Sequence, residues 1–267
     1  MITRYPSVLT IAGSDSGGCA GIQADIKSIS ANGAFAASVI TATTAQNTQG
    51  VFDIHPIPVT HIRKQLIAVL EDIDFGAIKI GMLHSADVIE LVQNTLREYP
   101  IKNIVLDPVM VATSGDRLLN KTALGNLKHF LSDAYLITPN IPEAEILIDR
   151  KIDSQKLDEA AREIGNTFKT SVLLKGGHLE DSERMKDTLF LYDTQKSISI
   201  HNKKIETKNT HGTGCTLSSA IAAQLSLGCC LEEAVTKACS YLNMAIEQGK
   251  DKILGKGNGP VQHFPKL

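Results

Sequence analysis

The run Lys208–Cys215, KNTHGTGC, stands directly before an apolar helical stretch at Thr216–Leu227. Gly212 and Gly214, on either side of Thr213, free the backbone to turn its N–H groups toward one point. A helix that follows aims its own unsatisfied N–H groups and the positive end of its dipole at the same place. The product is an anion hole, suited to holding a phosphoryl group in transfer. Cys215 sits at the helix start, where the dipole is expected to lower the pKa of its thiol. The plainer alternative is a glycine turn into a helix, with a small buried cysteine.

Such a loop needs elements to position it. Short apolar runs at Ser7–Ala12, Ala37–Ala42, Ala77–Ile80, Asn103–Leu106, Leu136–Thr138 and Ser171–Lys175 read as strands. Helical patterns lie between them, at Gly21–Ala31, over Val59, Ile62, Leu66, Leu70 and Ile73, at Ser85–Tyr99, and from Leu157 to Phe168. Thr188–Tyr192 and Ser197–His201 read as an antiparallel hairpin, and Leu231 to Leu242 as a last helix. Strand–helix alternation implies one α/β domain over residues 1–267: a mostly parallel sheet with an antiparallel edge, in three layers. Ligands in such sheets bind beyond the carboxyl ends of the strands. There the chain places GSDSGGCAG from Gly13, Gly81-Met82, Asp107-Pro108, Pro139 to Glu143, and Gly176-Gly177-His178.

Composition narrows the field. A net charge of −2 argues against nucleic acid or an anionic membrane as partner, and 4% aromatic residues without Trp argue against base stacking. No apolar run reaches membrane-spanning length and the first residues do not read as a signal peptide, so a cytoplasmic protein is expected. The five cysteines lack a C-x-x-C pair and are expected to be reduced thiols. Neither G-x-x-x-x-G-K-[ST] nor G-x-G-x-x-G occurs, which excludes the common mononucleotide and dinucleotide loops. The eight histidines do not cluster at ligand spacing, leaving a hard cation held by oxygens as the metal to consider.

Eight stretches, taken together, resemble the hydroxymethylpyrimidine/phosphomethylpyrimidine kinases of thiamine biosynthesis, in the ribokinase superfamily. They are LTIAGSDSGGCAGIQADIKS, VITATTAQNTQGV, IKIGML, VLDPVMVATSGD, LITPNIPEAEIL, VLLKGGH, KNTHGTGCTLSSAIAA and GPVQHF, in that order from Leu9 onward. The resemblance implies a ribokinase-like α/β/α sandwich, commonly a homodimer. It implies ATP-dependent phosphorylation of 4-amino-5-hydroxymethyl-2-methylpyrimidine and then of its monophosphate, with magnesium. Asp25 and Gln46 match positions that bind the pyrimidine; Gly13, Met82 and Val109 match the lining of the ring pocket. Gly212, Thr213, Gly214 and Cys215 match the anion hole, with Cys215, as a thiolate, in the place where many relatives carry an aspartate base. Lys175, Asn140, Thr138 and Thr207 are expected at the nucleotide, and Glu143 and Asp107 at the metal through water. The first loop departs from the family's usual G-S/T-D-P-S-G-G-A-G, lacking the proline and carrying Cys19 within the glycine run.

Two other readings compete. Pyridoxine and pyridoxal kinases share the family, but often lose the glutamine that Gln46 supplies, and some carry a lid cysteine that is absent between Val109 and Asp116. A non-catalytic pyrimidine-binding regulator would have no use for Lys175, Asn140, Glu143 and Cys215 together.

Overall fold

The computed structural model describes residues 4–110, 121–176 and 184–266; the stretch 111–116 and Gly177-His178, expected near the site, lie outside the described residues. The strands are β1 (Ser7–Asp15), β2 (Phe35–Asn47), β3 (Gly50–Pro56), β4 (Ala77–Ile80), β5 (Ile104–Leu106), β6 (Leu136–Ile137), β7 (Ser171–Leu174), β8 (Arg184–Leu191) and β9 (Lys196–Lys203). They form one sheet in the order β3-β2-β1-β4-β5-β6-β7-β8-β9. The helices are α1 (Gly21–Ala31), α2 (Val59–Leu70), α3 (Ala86–Arg97), α4 (Lys121–Phe130), α5 (Ile141–Ile148), α6 (Leu157–Phe168), α7 (Thr213–Ser226) and α8 (Leu231–Gly249).

Alternation along each central strand divides the core. Leu9 and Ile11, Ile78 and Ile80, Leu106, Ile137, and Val172 and Leu174 face one side, where α2 to α6 pack. Val8, Ala77, Val105, Leu136 and Leu173 face the other, covered by α1, α7 and α8. Both faces are apolar because both are covered, so these strands read as continuous hydrophobic runs. A fully buried Leu or Ile contributes roughly 1.5–3 kcal/mol, so the helices are held by their apolar faces more than by intrinsic propensity. Helix α7 is buried at nearly every position from Thr216 to Leu225, because it lies between α1, α8 and the sheet.

The expected three-layer α/β fold is what the chain adopts, with two additions. The β8–β9 hairpin forms the anticipated antiparallel edge, with Thr188 opposite Ser199. The other edge is antiparallel as well: β3, not anticipated, pairs with the far end of β2, Ala42 opposite Pro56. Helix α4 was also not anticipated. Helix α7 begins at Thr213, three residues before the expected start, with Gly212 as its left-handed cap at φ 81°. Cys215 therefore lies within the first helical turn.

Candidate active site

Two glycine turns seat against each other at the carboxyl end of β1. Asp15 folds the first one: its Oδ1 accepts from Gly17 N–H at 2.7 Å, and its Oδ2 from Cys19 and Ala20 N–H at 2.9 and 2.8 Å. The chain then enters α1 at Gly21, whose φ of 56° and close approach to the Gly13 carbonyl leave no room for a side chain. The second turn is Gly212, pressed on the Cys19 carbonyl so closely that a Cβ there would stand 1.9 Å from its oxygen. Beyond it, α7 leaves the amides of Gly214 and Cys215 without partners inside the helix.

The phosphate side of the site assembles around Gly214. A Cβ on Gly214 would lie 3.3 Å from Asp107 Oδ2 and 3.5 Å from Lys175 Nζ, so α7 starts directly beside this pair. Lys175 Nζ donates to Asp107 Oδ1 at 3.0 Å. Burial opposes the lysine charge, but Asp107 and Glu143 more than offset it and raise its pKa. Burial likewise opposes charge on Asp107, and Lys175 and Lys79 reverse the sign, lowering its pKa. Asn140 and Glu143 close a reciprocal capping box at the start of α5: Glu143 N–H donates to Asn140 Oδ1, and Asn140 N–H to Glu143 Oε2, both at 2.9 Å. Burial, with Asp107 adding to it against the pull of Lys175, pushes the Glu143 carboxyl up to about 7.

That shift has a measurable sign. The folded state keeps a proton on Glu143 that the unfolded chain releases near 4.5, so stability falls as pH rises from there to about 7. Glu143→Gln is expected to flatten this part of the ligand-free stability profile. Thermal midpoints across the interval check it, and an unchanged slope would assign the titration to another group.

Asp25 does not face a ligand. It is wholly buried, and four donor contacts occupy its oxygens: Lys79 Nζ reaches both at 2.8 Å, Thr10 Oγ1 gives one at 2.6 Å, and Ser219 Oγ one at 2.8 Å. Strand alternation explains the meeting. Thr10 and Lys79 share the face covered by α1 and α7, and those helices bring Asp25 and Ser219. Burial alone would lower the Lys79 pKa, yet the Asp25 carboxylate raises it, so the ammonium persists in the interior. Asp25 thus positions elements and holds a charge; the expectation that it reads a pyrimidine is corrected.

The thiol expectation is corrected too. Cys215 is pushed up to about 11, chiefly by burial, with Asp25 and Asp107 adding to it and Lys79 and the Gly21 amide opposing. A helix N-terminus contributes about 0.3–1 kcal/mol, less than one pKa unit, whereas burial shifts a group by up to several. At neutral pH Cys215 is a thiol. It nonetheless lies where expected, close to Lys79, Asp25 and Asp107 and under the Gly21 amide.

Of the residues matched to the ring pocket, Gly13 and Met82 lie against each other. A Cβ on Gly13 would meet Met82 Cε at 2.6 Å, so the glycine gives the half-buried methionine its place. Val109, also half-buried, donates its N–H to the Asp107 carbonyl at 2.8 Å. Gln46 Oε1 accepts from Thr44 Oγ1 at 3.0 Å, and Gln46 Nε2 lies 3.1 Å from His211 Nε2. Two expected nucleotide contacts are otherwise engaged. Thr138, 1% exposed, donates to Asp107 Oδ1 at 2.8 Å. Thr207 donates to the Lys250 carbonyl at 3.0 Å and accepts from Asn209 N–H at 3.0 Å, which ties α8 down rather than facing the site. Lys79, Asp15 and His211 are the residues not singled out beforehand. Lys79 carried a signal: a lysine inside AIKI, a strand buried on both faces, requires a buried counter-charge.

A family described as phosphomethylpyrimidine kinase matches residues 15–262. The hydroxymethylpyrimidine/phosphomethylpyrimidine kinase of Rhizobium meliloti is 46% identical over 259 residues, 96% of each chain. The thiamine biosynthesis bifunctional protein ThiED of Geobacter sulfurreducens is 46% identical over 260 residues, 97% of this chain and 52% of that protein; the chain spans about half the length of such bifunctional relatives. Among solved structures, an ADP complex of Bacillus subtilis pyridoxal kinase superposes with a TM-score of 0.89 at 32% identity, covering 97% of this chain and 98% of that one. Phosphomethylpyrimidine kinase from Clostridium difficile gives 0.78 at 44% identity, covering 90% and 99%.

Proposed function

This chain belongs to the phosphomethylpyrimidine kinase family, and on that footing we propose that it transfers the γ-phosphoryl group of ATP to the hydroxymethyl group of 4-amino-5-hydroxymethyl-2-methylpyrimidine, and then to the resulting monophosphate. The observation that carries the reading is the convergence at the head of α7. The cap Gly212 abuts the first loop, and Gly214 lies against both Lys175 and Asp107.

Phosphoryl transfer passes through a loose transition state, with charge spread over the equatorial oxygens. The amides of Gly214 and Cys215 are fixed donors for that charge, and Lys175 adds a held cation. Gln46 carries a donor and an acceptor in one amide, which suits the ring nitrogens and exocyclic amine of a pyrimidine once Thr44 and His211 release it. Magnesium fits the oxygen-rich corner of Asp107 and Glu143, which share one lysine ammonium between two carboxyls; these two would hold its waters, and the ion supplies neutralisation of phosphate charge. Because its thiol is protonated, Cys215 is no base for the hydroxyl proton, which passes to an oxygen of the transferring phosphoryl group as the new P–O bond forms; Cys215 acts by position. Cys215→Ala is expected to lower kcat by about 10²-fold, the scale of a reactant misplaced by about 1 Å, with the thermal midpoint little changed. Near-normal turnover would remove Cys215 from the mechanism.

Pyridoxine is the second substrate to consider, since a pyridoxal kinase superposes closely. ADP release measured in parallel with the hydroxymethylpyrimidine, its monophosphate and pyridoxine separates the readings. Turnover restricted to pyridoxine would overturn the pyrimidine assignment, and binding without ADP release would overturn the kinase. A homodimer is part of the proposal; β3 leaves Phe52 69% exposed and Ile54 38% exposed, an apolar edge that a second copy would cover. No described helix is long and apolar enough to cross a membrane.

A further inference from the structure

Where the two glycine turns meet, Asp15, Cys19 and His211 bring a carboxylate oxygen, a thiol sulfur and an imidazole nitrogen within 4.8 Å of one another. All three are buried, at 3%, 0% and 8% exposure. Asp15 Oδ2 and His211 Nε2 stand 3.8 Å apart. That is too long for a hydrogen bond. Burial, only partly offset by Asp15, lowers the His211 pKa. Two ligands about 2.0–2.1 Å from one tetrahedral zinc ion stand about 3.3 Å apart, so a small closing of this gap makes a bridge.

The imidazole Nε2 lies 3.1 Å from Gln46 Nε2, and the Thr44 hydroxyl lies 3.0 Å from both Gln46 Oε1 and the Ser14 carbonyl. When Gln46 donates, the one lone pair of His211 Nε2 is engaged by that amide, and a cation reaches it by displacing Gln46. The proton falls to Nδ1, which is buried and has no hydrogen-bond partner among the described residues. Asp15 Oδ2, the oxygen 3.8 Å from His211, already accepts two N–H donors and Oδ1 accepts one, so a cation takes this carboxylate through the open position on Oδ1 or by displacing the Cys19 or Ala20 amide from Oδ2. The Cys19 sulfur makes one long contact, 3.6 Å to the Gly17 carbonyl.

We propose that Asp15, Cys19 and His211 form a binding site for a borderline-soft divalent cation of the zinc class. One oxygen, one nitrogen and one sulfur donor suit zinc and disfavour magnesium, which takes oxygen ligands. On binding, Cys19 releases its proton to solvent and ligates as thiolate, and a water completes the tetrahedron. The ion clips the first loop to the turn before α7 and draws His211 away from Gln46. It therefore weakens capture of the ring that Gln46 reads; this consequence, unlike the binding itself, rests on the function proposed above.

The test is cobalt and zinc titration of the full chain, reduced and free of chelator. One equivalent of cobalt is expected to give a thiolate-to-cobalt charge-transfer band with tetrahedral d–d bands, and zinc to displace it. Cys19→Ser, which keeps the side-chain volume, is expected to lose the charge-transfer band and to bind zinc at least about tenfold more weakly. His211→Ala is expected to lose the tetrahedral bands, and Cys230→Ala, at an exposed thiol, to keep both signals. Circular dichroism verifies that each variant is folded. Absence of the bands in the parent chain, their survival in Cys19→Ser, or their loss in Cys230→Ala overturns the proposal.

Discussion

Gly212→Ala is expected to reduce kcat by about 10²–10³-fold, the effect of removing a donor from a preorganised anion hole. Two independent costs converge on this position. Its φ of 81° lies in the left-handed region, where a side chain costs roughly 1–2 kcal/mol. The added Cβ would also stand 1.9 Å from the Cys19 carbonyl oxygen, a backbone atom that no rotamer change can move. Relief requires the first loop and the head of α7 to separate, which misaims the Gly214 and Cys215 amides. Gly214→Ala is the instructive comparison. Its new methyl would meet Asp107 and Lys175 at 3.3 and 3.5 Å without backbone strain. That variant is expected to keep its thermal midpoint while losing affinity for phosphate; Gly212→Ala is expected to lose turnover and stability together. Steady-state kinetics and calorimetry on the pair check this, and a Gly212→Ala enzyme with normal kcat would show that the turn does not aim the anion hole.

Asp25→Ala is expected to destabilise the fold by about 3–5 kcal/mol, because it leaves the Lys79 ammonium buried without a counter-charge. Against a typical stability of about 5–15 kcal/mol, that is about a fifth or more of the total. Lys79→Met is expected to cost less, since Asp25 keeps the Thr10 and Ser219 hydroxyls. In the double variant Asp25→Ala/Lys79→Met the uncompensated charge is gone, and part of the loss is expected to return. Urea denaturation of the three variants gives the coupling directly. Additive losses would mean that the two side chains are not a coupled pair.

Much of this architecture was legible in the chain because the signals were local. Ala77–Ile80 and Gly21–Ala31 are bounded as expected, one by an apolar run with turns on both sides, the other by a glycine and a helical period. The head of α7 was legible because two glycines before a helix have few other uses. Strand β3 was not, since GVFDIHP lies on a sheet edge with most of its side chains exposed, and the hydrophobic pattern that marks central strands is absent there. At the site, spacing could bring Lys175, Asp107, Glu143 and Gly214 together, because each follows a strand or opens a helix at the same sheet edge. It could not say which polar atoms were already taken. Asp25, Thr138 and Thr207 have the right chemistry for ligands and spend it inside the protein. Cys215 has the right location, but burial decides its protonation over the dipole.

The near-complete enclosure of α7 has a consequence for how the catalyst moves. A helix wedged between a sheet and two neighbours has no free direction to travel, so the donors at its head behave as an anvil. Any movement that accompanies turnover then belongs to the elements around it, and leaves the anvil's own geometry unchanged from one stage of the cycle to the next.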